Sequence, residues 1–228
     1  MLLSTFELLL KDITPNEGNI ANSNRKILQG YFLTISNPND SDIQLRLKFT
    51  ATTPSLNSSQ LIVIEDTGGS NNFGSLDADN GYNFDLEAND TGLIILQPDI
   101  INLDPSVDAV EFRGYVEIHV RQPFPFPALL NRQLLFTPEH RGTFLPNSGE
   151  TEFDQLFTAV PTSTGASLME VDSIFDGGFP PFPPFPLPNA PGTNPALPEG
   201  ADMASMQQAL VAMTQSVNEL RQQVNSNN

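Results

Sequence analysis

His119 and His140 are the two side chains of this chain that are suited to proton transfer near neutral pH. His140 stands between Glu139 and Arg141, so an acid, an imidazole and a guanidinium follow one another between a proline and a glycine. A Glu-His pair could move a proton and the arginine could hold a carboxylate. Neighbours along a strand point to opposite faces, however, so Glu139 and His140 would cooperate only where the backbone turns. We interpret the segment as a structural turn, and His119 as a residue on the polar face of a strand.

Oxygen ligands of the kind that calcium prefers are densest at Asp77, Asp79 and Asp85. An EF-hand loop needs glycine at its sixth position and glutamate at its twelfth, but counted from Asp77 these positions differ: Gly81 is fifth and Ala88 is twelfth. The Asn-Gly pair that ends at Gly81 is already a hairpin signal. We therefore predict a solvated turn, with calcium as the one weak candidate cofactor.

Other catalytic patterns are missing from the sequence. The chain has no cysteine, which removes disulfides, thiolate metal sites and cysteine nucleophiles. It also has no Gly-x-Ser-x-Gly elbow, phosphate loop, dinucleotide fingerprint or His-x-x-x-His pair. The sequence predicts no catalytic residue, no cofactor-binding residue and no enzymatic activity.

The charge of the chain argues against two classes of partner. Only 16% of the 228 residues are charged, and the formal net charge is −17. An acidic chain without a basic stripe repels phosphate backbones and anionic lipid, so we expect neither nucleic acid nor membrane as a partner. The first twelve residues lack a basic start and carry Glu7 in their apolar stretch, which indicates a first strand or a short arm and not a secretory signal peptide. No transmembrane run is present either, so we expect a cytoplasmic protein or part of a particle, and the compartment otherwise stays open.

The elements that must position these residues follow a β pattern. Apolar and polar residues alternate at 43–49 and 110–121, and short apolar runs stand at 61–64 and 93–96, where we expect strands that are buried on both faces. Seven or eight short strands between turn residues predict an antiparallel β-sandwich, of jelly-roll or immunoglobulin-like type, over residues 1–165. The predicted core residues are Ile35, Leu45, Leu47, Ile62, Ile64, Ile94, Leu96, Val116, Ile118 and Val120.

Residues 166–200 are predicted to form a Pro/Phe-rich linker arm. The tract from Phe179 to Pro186 cannot lie inside a helix or a sheet, and its prolines favour an extended polyproline II conformation. A spacer is the simplest interpretation, and a ligand for a proline-recognising domain is the alternative. Because Phe179, Phe182 and Phe185 would be unusual on a free linker, we expect them to pack against the β domain or a neighbouring subunit.

Residues 201–228 are predicted to form a C-terminal helix with one apolar seam. Apolar residues recur there at alternating spacings of three and four, which is the heptad pattern of a helix that packs on another helix. Folding back onto its own β domain is the alternative. The predicted oligomerisation residues are Met203, Met206, Leu210, Met213, Val217, Leu220 and Val224.

Taken together, these features predict a non-enzymatic assembly protein that self-associates as a homo-oligomer through its β domain, its Pro arm and its C-terminal helix. One alternative is an adaptor or cargo protein whose helix docks a different scaffold or shell protein. A second alternative is a calcium- or carbohydrate-binding β module that uses the acidic loops.

Overall fold

The computed structural model describes residues 1–13, 25–123, 131–145 and 154–176. These residues form twelve β-strands and one short 3-10 turn at Ser58–Gln60. The predicted C-terminal helix, its seven seam residues, the Phe-Pro tract and most of the linker arm lie outside the described residues. The strands are β1 Leu2–Asp12, β2 Lys26–Ser36, β3 Ile43–Thr50, β4 Leu61–Asp66, β5 Asn72–Gly74, β6 Gly81–Leu86, β7 Thr91–Pro98, β8 Val110–Pro123, β9 Arg132–Phe144, β10 Asp154–Ala159, β11 Leu168–Val171 and β12 Ser173–Asp176.

The strands form one curled, mostly antiparallel sheet. Its main path runs β5-β4-β7-β2-β1-β8-β3-β6, and β9 pairs with β2 on the side away from β1 and β7. Among the described strands, only β12 pairs in parallel, with the end of β8. The prediction of a mostly antiparallel β protein is confirmed, and the sheet continues to Asp176, beyond residue 165.

The curl begins at a change of partner along β2. Residues Lys26–Gln29 of β2 pair with β1, whereas Tyr31–Ser36 pair with β7 on the same edge. β1 therefore departs from β2 near Gly30 and carries β8, β3 and β6 away with it. The buried side chains of these strands form one hydrophobic core, because each strand turns its alternate apolar side chains the same way.

The core is dominated by leucine, isoleucine, valine and three edge-to-face aromatic rings. Phe6, Tyr31 and Phe49 have ring centroids 5.5–6.4 Å apart, a geometry that aromatic pairs prefer. Between the two ends of the strand path, the ring of Tyr82 packs against Gly74, and its hydroxyl donates a 2.6 Å hydrogen bond to the carboxylate of Glu65. These contacts link β6 to β4 and β5 at the two ends of the strand path.

Most of the predicted core is confirmed. Nine of the ten predicted residues are buried, and Ile64 is half-buried. The expectation that β7 is buried on both faces is wrong: Ile94 and Leu96 are buried, whereas Leu93 and Ile95 are half-buried on the other face. The turn predicted at Glu139–Arg141 is also wrong, because this segment lies inside β9.

Candidate functional site

A cleft of about 540 Å³ lies on the outer face of the sheet, over β7, β2, β9 and β10. Its volume falls within the range of about 300–1,000 Å³ that is usual for ligand sites. The cleft forms where the side chains of β2 and β9 that point away from the core meet those of the edge strand β10. Its lining residues are Leu28, Gly30, Phe32, Gln97, Arg141, Gly142, Thr143, Gln155, Leu156 and Phe157.

Strand register brings the central residues of the cleft together. Gly30 of β2 pairs with Arg141 of β9, and Arg141 pairs in turn with Phe157 of β10. Two residues farther along β2, Phe32 pairs with Glu139. Directly paired residues share a face of an antiparallel sheet, so these side chains form two adjacent rows on the outer surface.

The guanidinium of Arg141 is held between two aromatic rings. Its central carbon lies 4.7 Å from the ring centroid of Phe32 and 5.8 Å from that of Phe157, within the range of cation–π attraction. Its Nε and Nη2 atoms donate hydrogen bonds of 2.9 and 2.8 Å to one carboxylate oxygen of Glu139, whose side chain is only 11% exposed. Glu139 thus neutralises Arg141 and fixes its plane, while 44% of the arginine side chain stays exposed to a ligand.

The floor of the cleft requires glycine at one position. A Cβ atom on Gly30 would lie 2.9 Å from the Cβ of Gln97 and 3.1 Å from the carbonyl oxygen of Leu96. Any larger residue would push β7 away from β2 or fill the cleft. Gly30 therefore keeps open the space between Gln97 and Arg141.

The strand β10 forms the outer edge of this face. All six of its residues, Asp154–Ala159, are exposed, and within the described residues its only strand partner is β9. Phe157 is 61% exposed and Leu156 is 43% exposed. The single charged residue of the strand, Asp154, forms a 2.5 Å ion pair with Arg25. The edge is therefore locally neutral, and it exposes two large apolar side chains, in a chain of net charge −17.

His140 takes no part in this cleft. Because it follows Glu139 along the strand, its ring points inward, where its centroid lies 6.3 Å from that of Tyr31. Burial lowers the pKa of His140 below its ordinary value, and the charge of Glu7 opposes that shift. The expectation that Glu139 and His140 point to opposite faces is confirmed by the register of β9 with β2.

His119 lies on β8 opposite Arg46 of β3, on the face away from the buried residues Ile118 and Val120. Burial lowers the pKa of its half-buried imidazole, and the nearby amino group of Met1, 3.3 Å from its Nδ1 atom, acts in the same direction. The predicted placement on the polar face is confirmed.

Of the three aspartates considered as calcium ligands, Asp77 and Asp79 lie in the turn before β6 and Asp85 lies on β6. One oxygen of Asp77 accepts hydrogen bonds from the backbone N–H groups of Gly81 and Asp79, at 2.7 and 2.9 Å, and the other pairs with Arg46 at 2.8 Å. Asp85 lies on β6, and its main chain pairs with Gln44. Asp77 thus organises the turn before β6, as the Asn-Gly signal predicts. Within the described ranges, no group of three or more His, Cys, Asp or Glu side chains is arranged to hold a metal ion.

Comparison with known proteins adds no further assignment: no protein-family model, curated protein or solved structure matches this chain. Among the described residues, no helix is both long enough and apolar enough to cross a membrane.

The sequence pattern indicates Arg141 and Glu139 as a possible site but does not indicate Phe32, Gln97 or Phe157. Phe32 and Gln97 lie in or beside the apolar runs of β2 and β7, where the sequence shows no clear alternation that would tell which side chains leave the core. Their meeting with Phe157 depends on the pairing of β2 with both β7 and β9, which no local pattern encodes. Chemically, the cleft offers aromatic faces and hydrogen-bond donors, which suits binding.

Proposed function

We propose that this chain is a non-enzymatic assembly protein and that copies join edge to edge through β10, with the Pro arm and the C-terminal helix adding further contacts. The observation that carries the proposal is the six-residue edge strand with every residue exposed. An unpaired edge offers its N–H and C=O groups to another strand, and proteins that stay monomeric usually block such edges with charge, proline or a bulge. β10 has no lysine, arginine or proline.

A second copy of the same strand suits this edge. In a two-fold antiparallel pair centred on Phe157, Leu156 of one copy lies opposite Thr158 of the other, and Phe157 lies opposite itself. In a pair centred on Leu156, Asp154 lies opposite Thr158. Neither register places Asp154 opposite Asp154, so the pair avoids the like-charge repulsion that a net charge of −17 would cause elsewhere.

We further propose that the two flanks of the curled sheet act as the layers of a jelly-roll-like β-sandwich, since one core lies between them. In this arrangement the edge pair would extend one layer from copy to copy. The helix of residues 201–228 would add a second contact through the seam centred on Leu210 and Val217. An adaptor that docks a different scaffold protein is the competing function, and it predicts a chain that is monomeric when alone.

The test introduces like charges into the edge. The double variant Leu156→Lys, Thr158→Lys places lysines opposite each other in both registers above. The matched control is Ile101→Lys, Val107→Lys, which adds the same charge at positions that are 69% and 77% exposed on a loop. Molar mass in solution is measured by light scattering on the full chain across protein concentrations.

We expect the wild type and the control to form the same oligomer, and the edge variant to dissociate at concentrations at least tenfold higher than theirs. A wild-type chain that stays monomeric at all concentrations would refute self-assembly. An edge variant with unchanged mass would refute the role of β10.

A further inference from the structure

We propose that the outer cleft binds the Phe-Pro tract, residues 179–186, of a second copy of this chain. The inference rests on the proposed self-assembly and names a contact for it. It follows from three observations: the chemistry of the cleft, the spacing of the tract and the place where the described chain ends.

The cleft supplies hydrogen-bond donors between aromatic walls. Gln97, Arg141, Thr143 and Gln155 line it, and each carries at least one N–H or O–H donor. Two of the five N–H donors of Arg141 are used toward Glu139. A ligand that suits this surface presents backbone carbonyls and flat apolar groups and carries no negative charge of its own, because Glu139 already neutralises Arg141.

The tract has these properties. Its five prolines lack an N–H group, so the backbone offers mainly carbonyl acceptors. A polyproline II helix has three residues per turn, and Phe179, Phe182 and Phe185 are spaced by three. In that conformation the three rings lie along one edge, about 9 Å apart. No charged residue occurs between Phe179 and Pro186. Such ridges are recognised by grooves with aromatic walls and hydrogen-bond donors.

The strand directions assign the tract to another copy. β9 runs from Arg132, which pairs with Val171, to Phe144, which pairs with Ile27. The cleft surrounds Arg141, nine residues from Arg132 and thus roughly 30 Å along the strand. β11 runs the opposite way to β9, and β12 follows it to Asp176, so the chain leaves the sheet at the end opposite to the cleft.

The chain after Asp176 is too short for most of the tract to enter the cleft of its own copy. Phe182 is six residues beyond Asp176, which allows at most about 20 Å even in a fully extended chain. That is less than the roughly 30 Å between Arg132 and Arg141 alone. A neighbouring copy has no such restriction, and its tract would lie beside β10, the edge at which we propose that copies meet.

The test uses a synthetic peptide of residues 178–187, Gly-Phe-Pro-Pro-Phe-Pro-Pro-Phe-Pro-Leu, with a fluorescent label. The receptor is the full chain with Phe179, Phe182 and Phe185 changed to alanine, so that its own tract does not compete. The cleft variant adds Phe157→Ala, and the matched control adds Phe73→Ala, because Phe73 is 65% exposed on the short strand β5, away from the cleft. A peptide of the same composition with its three phenylalanines contiguous tests the three-residue spacing.

We expect saturable binding by fluorescence anisotropy, at least tenfold weaker for the Phe157→Ala receptor, unchanged for Phe73→Ala and at least tenfold weaker for the contiguous peptide. In the wild-type chain, the fraction of clefts that bind the peptide should fall as protein concentration rises, because the tracts of other copies then occupy the clefts. Absence of binding, or equal loss in the two alanine receptors, would overturn the inference. If the wild-type tract prevents peptide binding equally at all protein concentrations, the assignment of the tract to a second copy would be overturned.

These outcomes are separable from those of the proposed function. Peptide binding with no effect of the edge lysines on mass would leave the cleft contact standing and refute β10 pairing. If the edge lysines dissociate the oligomer but the cleft does not bind the peptide, β10 pairing stands and the cleft contact is refuted.

Discussion

The imidazole of His140 accepts a 3.1 Å hydrogen bond at Nε2 from the backbone N–H of Glu7. β1 pairs with β2 only from Leu9 onward, so Glu7 lies where β1 has already departed from its neighbour. The side chain of His140 thus accepts the hydrogen bond that a backbone carbonyl of a neighbouring strand would otherwise accept. Nε2 can accept only while it carries no proton, so this contact requires the neutral ring.

This contact predicts an acid-sensitive stability. Burial lowers the pKa of His140 in the folded chain, so on acidification the unfolded chain binds the proton first. The stabilisation is therefore present above the ordinary histidine pKa of 6.5 and is lost as the pH falls below it. We expect the free energy of unfolding in urea to decrease from pH 7 to pH 5, with a contribution of at most about 1.4 kcal/mol per pH unit from one histidine.

The variant His140→Gln keeps a hydrogen-bond acceptor but removes the titration. Its unfolding free energy should fall less steeply between pH 7 and pH 5 than that of the wild type. His119→Gln serves as a second variant, because burial also lowers the pKa of His119. A His140→Gln slope equal to that of the wild type would contradict the assignment.

We expect calcium to have little effect on stability. Burial alone would raise the pKa of Asp77, but the backbone donors of Gly81 and Asp79 and the guanidinium of Arg46 together lower it. A carboxylate occupied in this way is a poor free ligand. Millimolar calcium should shift the melting temperature by less than about two degrees, whereas a micromolar site would add roughly 4 kcal/mol at that concentration. A large upward shift that Asp77→Asn abolishes would show that Asp77 is a calcium ligand.

Replacing Gly114 by alanine should destabilise the sheet. Gly114 lies on β8 opposite Phe6 of β1, and a methyl group there would collide with the carbonyl oxygen of Thr50, which is backbone and cannot rotate away. We expect a loss at the upper end of the about 1–3 kcal/mol that is typical of overpacking. Gly68→Ala is the control, because a Cβ atom there meets nothing within 4 Å. Equal urea midpoints for the two variants would show that the close approach has no energetic consequence.

The heptad seam predicts a loss of assembly without a loss of the β fold. Leu210→Asp and Val217→Asp together place two charges where a partner helix would bury them, and each unpaired buried charge costs several kcal/mol. Gln208→Asp and Gln215→Asp add the same charge on the opposite side of the predicted helix. We expect only the seam variant to lose molar mass in light scattering while its strand-type far-UV spectrum persists. If the seam variant unfolds as a whole, the helix belongs to the β core.

The sequence predicted strands best where one face of a strand is exposed to solvent. Val116, Ile118 and Val120 alternate with polar residues, and all three are buried as expected. It undercounted the strands, because short elements such as β5, β11 and β12 have too few residues to display a period. It also mistook Glu139–Arg141 for a turn, since proline and glycine next to charged residues imitate turn composition. In β9 these residues instead continue a ladder with β2.

What the sequence determined by itself is the class of fold and the buried faces of β3 and β8, because the two-residue period of a pleated strand is a local property. The partners of β2 were decided only by the tertiary structure. Pairing with β1 below Gly30 and with β7 above it is a choice among distant segments, set by which apolar faces can be buried together. The cleft around Arg141 further requires the pairing of β2 with β9 and of β9 with β10, so no stretch of the sequence read alone contains it.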